Sequence, residues 1–223
     1  MTARLTLTAI AVATLAFLTT AGAQAQPVRV ATFYNTGVDN AHTVLGNYAT
    51  ETHYVIFSTP DGSTPTVRVA TSANGFPIPP WLGDSSVSAW IGPNTDSALN
   101  GATGRFDYRT TFDLTGFDAS SAALSGRWSA DNAGLNILIN GVATGQTVSG
   151  FNAFNSFSVA SGFISGINTI DFVVRNDGGP TGLRVEGALT ASAVVAPVPE
   201  PMSLAILGIG LVGAGLVRRF NRI

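Results

Sequence analysis

Two tryptophans and one arginine are the residues of this sequence best suited to bind a sugar. Trp81 follows the prolines of an irregular segment at residues 75–83, and Trp90 lies in a candidate strand near it. Aromatic faces bind the C–H surfaces of sugars, and planar polar groups bind their hydroxyls. Trp81 and Trp90 could therefore form a platform, with Arg109 as a polar partner. The alternative stays open that both rings fill the edge of the core, because large rings are mostly buried.

The remaining chemistry-bearing residues show no catalytic pattern. Acyl transfer would need a nucleophile near a base, but the chain has no cysteine and no Gly-x-Ser-x-Gly sequence. Its two histidines, His42 and His53, lack a metal-binding spacing. Most aspartates lie beside turns, where they hydrogen-bond to their own backbone, so no carboxylate pair for glycoside cleavage stands out. We expect no enzyme and no catalytic residue.

Asp131 and Asn132 are weak candidates for a calcium site. Calcium prefers carboxylate and amide oxygens in loops, but the chain has no Asp-x-Asp-x-Asp-Gly loop. The alternative is that this pair ends a strand and caps a turn. We expect no other cofactor, since glycine loops that would hold a nucleotide phosphate are missing too.

The middle of the chain has the composition and the alternation of a β-protein. It is rich in Thr, Ser, Gly, Asn and Val, and we find no convincing helical stretch between residues 26 and 196. About nine or ten short strands separated by turns predict an all-β fold, an antiparallel β-sandwich. The candidate strands are residues 28–33, 53–58, 66–71, 86–91, 105–112, 124–129, 135–140, 154–159, 168–175 and 183–189.

Three of these strands alternate clearly enough to assign faces. In 105–112, the aromatic residues share one face and Arg105, Asp107 and Arg109 share the other. Asn140-Gly141 predicts a two-residue hairpin turn. The residues expected on inner faces are Phe106, Tyr108, Thr110, Phe112, Leu135, Ile137, Ile139, Ile170, Phe172 and Val174.

The charge of this middle region excludes one class of partner. Between residues 26 and 196 there are seven Arg, no Lys and twelve Asp and Glu, a formal charge of −5. An acidic surface argues against nucleic acid as a partner.

Without cysteine no disulfide can form, so the fold must be held by core packing.

The amino terminus is typical of an export signal. Arg4 precedes an apolar run at residues 5–18, and two A-x-A sites follow. We expect cleavage after Ala25 or Ala23, with an uncleaved membrane anchor as the alternative.

The carboxyl terminus has three successive parts. Val198, Pro199, Glu200 and Pro201 precede an uncharged apolar run at residues 202–217, which a cluster of Arg218, Arg219 and Arg222 follows. As a helix the run is roughly 24 Å long, short for a hydrocarbon core of roughly 30 Å. The arginines would stop transfer on the cytoplasmic side. The alternative is a simple transmembrane anchor.

This order resembles the PEP-CTERM sorting signal of Gram-negative bacteria. The resemblance implies an exosortase-type processing enzyme as a partner, with the membrane contacted through the tail helix before processing. It also implies delivery to the cell surface or extracellular matrix, often in bacteria that make extracellular polysaccharide.

The stretches 108–112, 128–132, 137–141 and 163–176 carry a second resemblance. Through them, residues from about 81 to 186 resemble the galactose-binding-like jelly roll of many carbohydrate-binding modules. This resemblance implies non-catalytic binding and allows a structural calcium ion.

Together these patterns predict four regions: a signal peptide at 1–25, a β-sandwich at 26–190, a linker at 191–197 and a sorting signal at 198–223. We expect an exported surface protein that is structural or binds carbohydrate of an exopolysaccharide. Two alternatives stay open: a secreted glycan-active enzyme, and an adhesive surface protein with no small ligand.

Overall fold

A computed structural model of the chain describes residues 25–75, 77–94, 99–194 and 208. Between residues 25 and 194 the described chain contains twelve strands, one 3₁₀ helix at Ser72–Asn74 and no α-helix. The strands are β1 Pro27–Arg29, β2 Tyr54–Ser58, β3 Arg68–Ala70, β4 Trp90–Gly92, β5 Gly104–Asp113, β6 Phe117–Asp131, β7 Ala133–Ile139, β8 Val142–Ala143, β9 Val148–Ser149, β10 Asn155–Val159, β11 Ile167–Asn176 and β12 Gly182–Ala193.

The strands form two antiparallel sheets. The first sheet has the order β10-β6-β12-β4-β3, and β1 also pairs with β12. The second has the order β2-β5-β11-β7-β8, and β9 also pairs with β7. The predicted all-β antiparallel sandwich is confirmed, and its strand assignments are correct for the long strands.

Alternation along the strands explains which residues form the core between the sheets. Phe106, Tyr108 and Phe112 of β5 are buried, as are Ile170 and Phe172 of β11. In β6, Leu124, Trp128 and Ala130 point to the same interior. The centroid of the Phe172 ring, in the second sheet, lies 5.6 Å from that of Trp128 and 6.0 Å from that of Phe157, both in the first sheet. Phe172 therefore packs across the interface between the two sheets.

One predicted inner residue is wrong. Leu135 was expected inside with Ile137 and Ile139, but it is 38% exposed while both isoleucines are buried. The pairing of β7 with β11 shifts between Val173 and Val174, whose partners are Asn136 and Gly134. Leu135 is therefore the extra residue of a β-bulge and points outward.

The Asn140-Gly141 turn forms as predicted. Both residues have positive φ, 50° and 81°, which is the backbone of a type I′ turn, and the turn joins β7 to the two-residue strand β8. The sequence did not indicate β8 or β9, because two-residue strands are too short to alternate.

Most of the predicted terminal signals lie outside the described residues. These are the signal peptide up to residue 24, the motif at 198–201, the apolar run at 202–217 apart from residue 208, and the arginines at 218, 219 and 222. Over the part of the chain that the structure describes, no helix has the length and apolarity needed to cross a membrane.

Gly134 tests the packing between the sheets. A Cβ at this position would collide with the Trp128 ring and with Val148. We expect Gly134→Ala to lower the free energy of unfolding by about 1–3 kcal/mol, the usual cost of overpacking. Urea unfolding measures it, with Gly46→Ala as control because nothing lies within 4 Å of a Cβ there. Equal stability of the two variants would contradict the packing described.

Candidate functional site

Arg109 lies on the outer face of the second sheet, where alternation along β5 places it. Its Nε and Nη2 donate to Oδ1 and Oδ2 of Asp171 at 2.6 and 2.8 Å. Asp171 is directly opposite on β11. The hydrogen bonds to Asp171 raise the pKa of Arg109. The bidentate contact fixes both planar groups.

Phe57 provides an exposed ring beside this ion pair. It is 60% exposed on the edge strand β2, and its ring centroid lies 3.6 Å from Cζ of Arg109. Val55, two residues earlier on the same face, is 55% exposed. We call Val55, Phe57, Arg109 and Asp171 the Phe57 face.

Two further ion pairs extend the polar part of this sheet surface. Arg105 binds Asp107 at 2.6 Å and Arg175 binds Asp177 at 2.8 Å. Arg105 and Arg175 are cross-strand partners, an arrangement that is unfavourable for like charges. The aspartate that follows each arginine offsets this repulsion.

Trp90 and Trp81 lie together, but on the outer side of the first sheet. Trp90 is 1% exposed and its Nε1 donates to the Leu82 carbonyl at 2.9 Å, so its ring offers no open face to a ligand. The Trp81 ring centroid lies 4.5 Å from that of Trp90 and 5.5 Å from that of Phe151. The buried ring of Trp90 packs against the ring of Trp81 and supports it.

Trp81 lines a shallow cleft, which also touches Arg68, Asn94 and Thr181. The cleft has room for about one water molecule. A sugar ring could contact the edge of this cleft but could not enter it. The candidates Trp81, Trp90 and Arg109 therefore lie on two separate surfaces, since Arg109 belongs to the other sheet.

A buried arginine holds the loop that carries Trp81. Arg184 is 1% exposed, and its guanidinium donates to the Gly83 carbonyl at 2.5 Å and to Ser85 Oγ at 2.7 Å. Its Nε donates to Ser88 Oγ at 2.8 Å. Burial lowers the pKa of Arg184. The sequence identified Arg184 as a strand residue, but not its role as the anchor of this loop.

The candidate calcium residues Asp131 and Asn132 lie at the end of β6. Asp131 is 3% exposed, and its Oδ1 has no donor. Asn132 Oδ1 accepts a hydrogen bond from the Asp177 amide at 2.7 Å. Among the residues that the structure describes, no three His, Cys, Asp or Glu side chains form a group suited to a metal. Burial, and then the charge of Asp177, raise the pKa of Asp131 to about 7.

Phe57 is the site residue that sequence reasoning missed. The pattern Tyr54-Val55-Ile56-Phe57 carries two apolar residues on each face of β2. The available signal in the sequence was the apolar outer face of β2, because the solvent-facing residues of an edge strand are normally polar.

These observations define an all-β sandwich with an open sheet face that combines an exposed aromatic ring and fixed ion pairs. No protein-family model matches the chain. No curated protein matches it either.

Some solved structures are distantly similar. A native family 35 carbohydrate-binding module from Clostridium thermocellum is 15% identical with a TM-score of 0.35, over 76% of this chain and 100% of the module. A family 35 module from an environmental isolate is 13% identical with a TM-score of 0.28, over 65% of this chain and all of the module. A GH26-CBM35 β-(1,4)-mannanase from Podospora anserina is 16% identical with a TM-score of 0.32, over 66% of this chain and 29% of the enzyme. Similarities this distant do not say what this chain binds.

Asp131 makes stability depend on pH. Its folded pKa of about 7 exceeds the ordinary value of 3.8, so the folded state holds a proton that the unfolded state releases. This contribution is fully present below about pH 4 and is lost as the pH rises toward about 7. Asp131→Asn should flatten this part of the profile and leave the variant relatively more stable at about pH 8. Urea midpoints of both proteins across this range measure it, and parallel profiles would refute it.

Proposed function

We propose that this chain is a non-enzymatic module that binds extracellular polysaccharide through the Phe57 face. One observation carries the proposal: an aromatic ring, 60% exposed, lies 3.6 Å from the guanidinium of a fixed ion pair. A pyranose has apolar C–H surfaces and a rim of hydroxyls. The ring can pack on the first, and the arginine and carboxylate can hydrogen-bond to the second.

The rigidity of the face favours binding. Arg109 and Asp171 are held by two short hydrogen bonds on adjacent strands, and Arg109 also packs on Phe57. Little side-chain entropy remains to be lost when a ligand binds, because the polar groups are already ordered. Val55 continues the apolar strip along β2, which suits an extended chain rather than a single buried sugar.

The same contacts favour binding over catalysis. Glycoside cleavage needs one carboxylate that donates a proton and a second across the bond. On this face Asp107 and Asp171 are each bound by an arginine at 2.6 Å. The arginine donors therefore occupy the oxygens of both carboxylates, whereas a catalytic carboxylate must face the glycosidic bond.

We further propose that this module is exported, because the sequence at both ends of the chain supports export. A signal of residues 1–25 and a tail with Pro199-Glu200-Pro201, an apolar run and arginines would deliver the sandwich to the cell surface or extracellular matrix. An acidic chain without lysine also suits contact with a carbohydrate rather than with nucleic acid.

Binding to extracellular polysaccharide of the producing bacterium tests the site. We expect Phe57→Ala to weaken binding by about tenfold, corresponding to about 1.4 kcal/mol of lost contact. Affinity electrophoresis or a glycan array measures it. Ile164→Ala, which removes a 54% exposed apolar residue elsewhere, is the matched control and should bind normally.

Three outcomes would overturn the assignment. Loss of binding in Trp81→Ala but not in Phe57→Ala would move the site to the cleft of the first sheet. Background binding by the unaltered protein would favour an adhesive or structural role without a ligand. Turnover of the polysaccharide would favour a glycan-active enzyme.

The molecular mass of the surface protein tests whether both ends of the chain are removed. Protein extracted from the cell surface should begin after Ala25 or Ala23 and lack the arginine-rich tail. Replacing Pro199 and Pro201 with alanine should retain the tail, since the motif would no longer be recognised. Intact-mass spectrometry decides, and retention of both Met1 and Ile223 in surface material would be the opposite result.

A further inference from the structure

The two histidines of the chain, His42 and His53, both stack on the ring of Tyr34. The Tyr34 ring centroid lies 3.6 Å from that of His53 and 4.8 Å from that of His42, at interplanar angles of 4° and 20°. Two nearly parallel rings at these distances cannot share one face of a third ring. His42 and His53 therefore stack on opposite faces of Tyr34.

The chain between these residues is closed by hydrogen bonds around the stack. Both oxygens of the buried Glu51 carboxylate accept from the backbone, from Gly37 N and His53 N, each at 2.6 Å. Tyr54 Oη donates to the Tyr34 carbonyl at 2.9 Å. The loop thus has its two ends joined beside the stacked rings.

His42 is held in an unusual backbone conformation at the outer side of the stack. Its φ is 60°, in the left-handed region that side chains other than glycine rarely adopt. Asp39 Oδ1 accepts from the amides of Ala41 and Thr43 at 2.9 Å, which fixes the turn that presents His42.

The inner ring has no acceptor for a second proton. His53 Nε2 is buried and has no hydrogen-bond partner. Protonation would create a buried N–H donor and a charge beside His42, and both cost free energy. The closed loop is therefore suited to a neutral imidazole at His53.

We propose that Tyr34, His42 and His53 form an acid-labile latch that keeps the turn at residues 39–45 closed near neutral pH and releases it in mild acid. The proposal concerns the conformation of the chain itself and does not depend on polysaccharide binding.

The direction of the pH dependence follows from the groups that face the stack. Burial, the largest cause, lowers the pKa of His53 below its ordinary 6.5, and the charge of His42 lowers it further. The Asp39 carbonyl and carboxylate act in the opposite direction but are the smaller influence. The stability that the neutral ring contributes is therefore complete above pH 6.5 and is lost as the pH falls through the folded pKa.

Glu51 acts with the opposite sign and must be separated from the latch. Burial raises its pKa above 4.5, so its own contribution to stability grows as the pH falls. Glu51→Gln retains a side-chain acceptor and removes this titration. The acid-dependent opening should persist in that variant.

Hydrogen exchange of the full chain tests the latch. After correction for intrinsic rates, we expect amides of residues 39–45 to lose at least about fivefold in protection between about pH 7.5 and about pH 5, while β6 and β11 keep theirs. His53→Phe keeps a ring on Tyr34 without a titrating nitrogen and should abolish the change. Unchanged protection in the wild type, or the same acid opening in His42→Phe/His53→Phe, would overturn the proposal.

A second measurement avoids dependence on the folding of these variants. In the unaltered protein, the imidazole signal of His53 should titrate in the NMR spectrum below 6.5, and protection should be lost in the interval between that midpoint and 6.5. Titration at the ordinary value, or loss of protection outside that interval, would refute the latch.

Discussion

The fold depends on the burial of aromatic rings between its two sheets, and Phe172 is the centre of that contact. Its ring belongs to the second sheet and lies 5.6 Å from Trp128 and 6.0 Å from Phe157 of the first. Tyr54, on edge strand β2, lies 6.4 Å away. The sequence contains no cysteine, so burial of such side chains, at roughly 1.5–3 kcal/mol each, must provide the stability that disulfides add to many small domains.

The inner contact determines what the outer surfaces can do. When Phe106, Tyr108 and Phe112 point inward, the intervening residues of β5 must point outward, so Arg109 lies opposite Asp171 of β11. Asp171 is largely covered, and an unpaired carboxylate there would be costly. The arginine therefore stabilises the sheet and at the same time presents a fixed planar group next to Phe57. A sheet that neutralises its own charges in this way is compatible with the proposed ligand, which is uncharged and rich in hydroxyls.

Sequence patterns predicted what depends on local alternation and missed what depends on contacts between distant segments. The faces of β5 and β11 and the Asn140-Gly141 turn followed from period-two spacing and turn chemistry. The outward position of Leu135 did not, because a bulge depends on the partner strand. Burial of Arg184 depends on carbonyl and hydroxyl groups about a hundred residues earlier in the chain. The sequence offered Trp81 and Arg109 together as candidates for sugar binding, and only the sheet order shows that they lie on different sides of the sandwich.

Buried titratable groups set the conditions in which this sandwich is most stable. Asp131 and Glu51 are buried carboxyls with raised pKa values, so both favour the folded state more in acid. His53 is a half-buried imidazole with a lowered pKa, so it favours the folded state near neutral pH. The carboxyl of Asp131 lies at the end of β6, whereas His53 lies in the connection that precedes β2. Mild acid should therefore strengthen the sandwich while it weakens one loop, because the two titrations act on different parts of the chain. A local opening without global unfolding is the expected consequence of this separation.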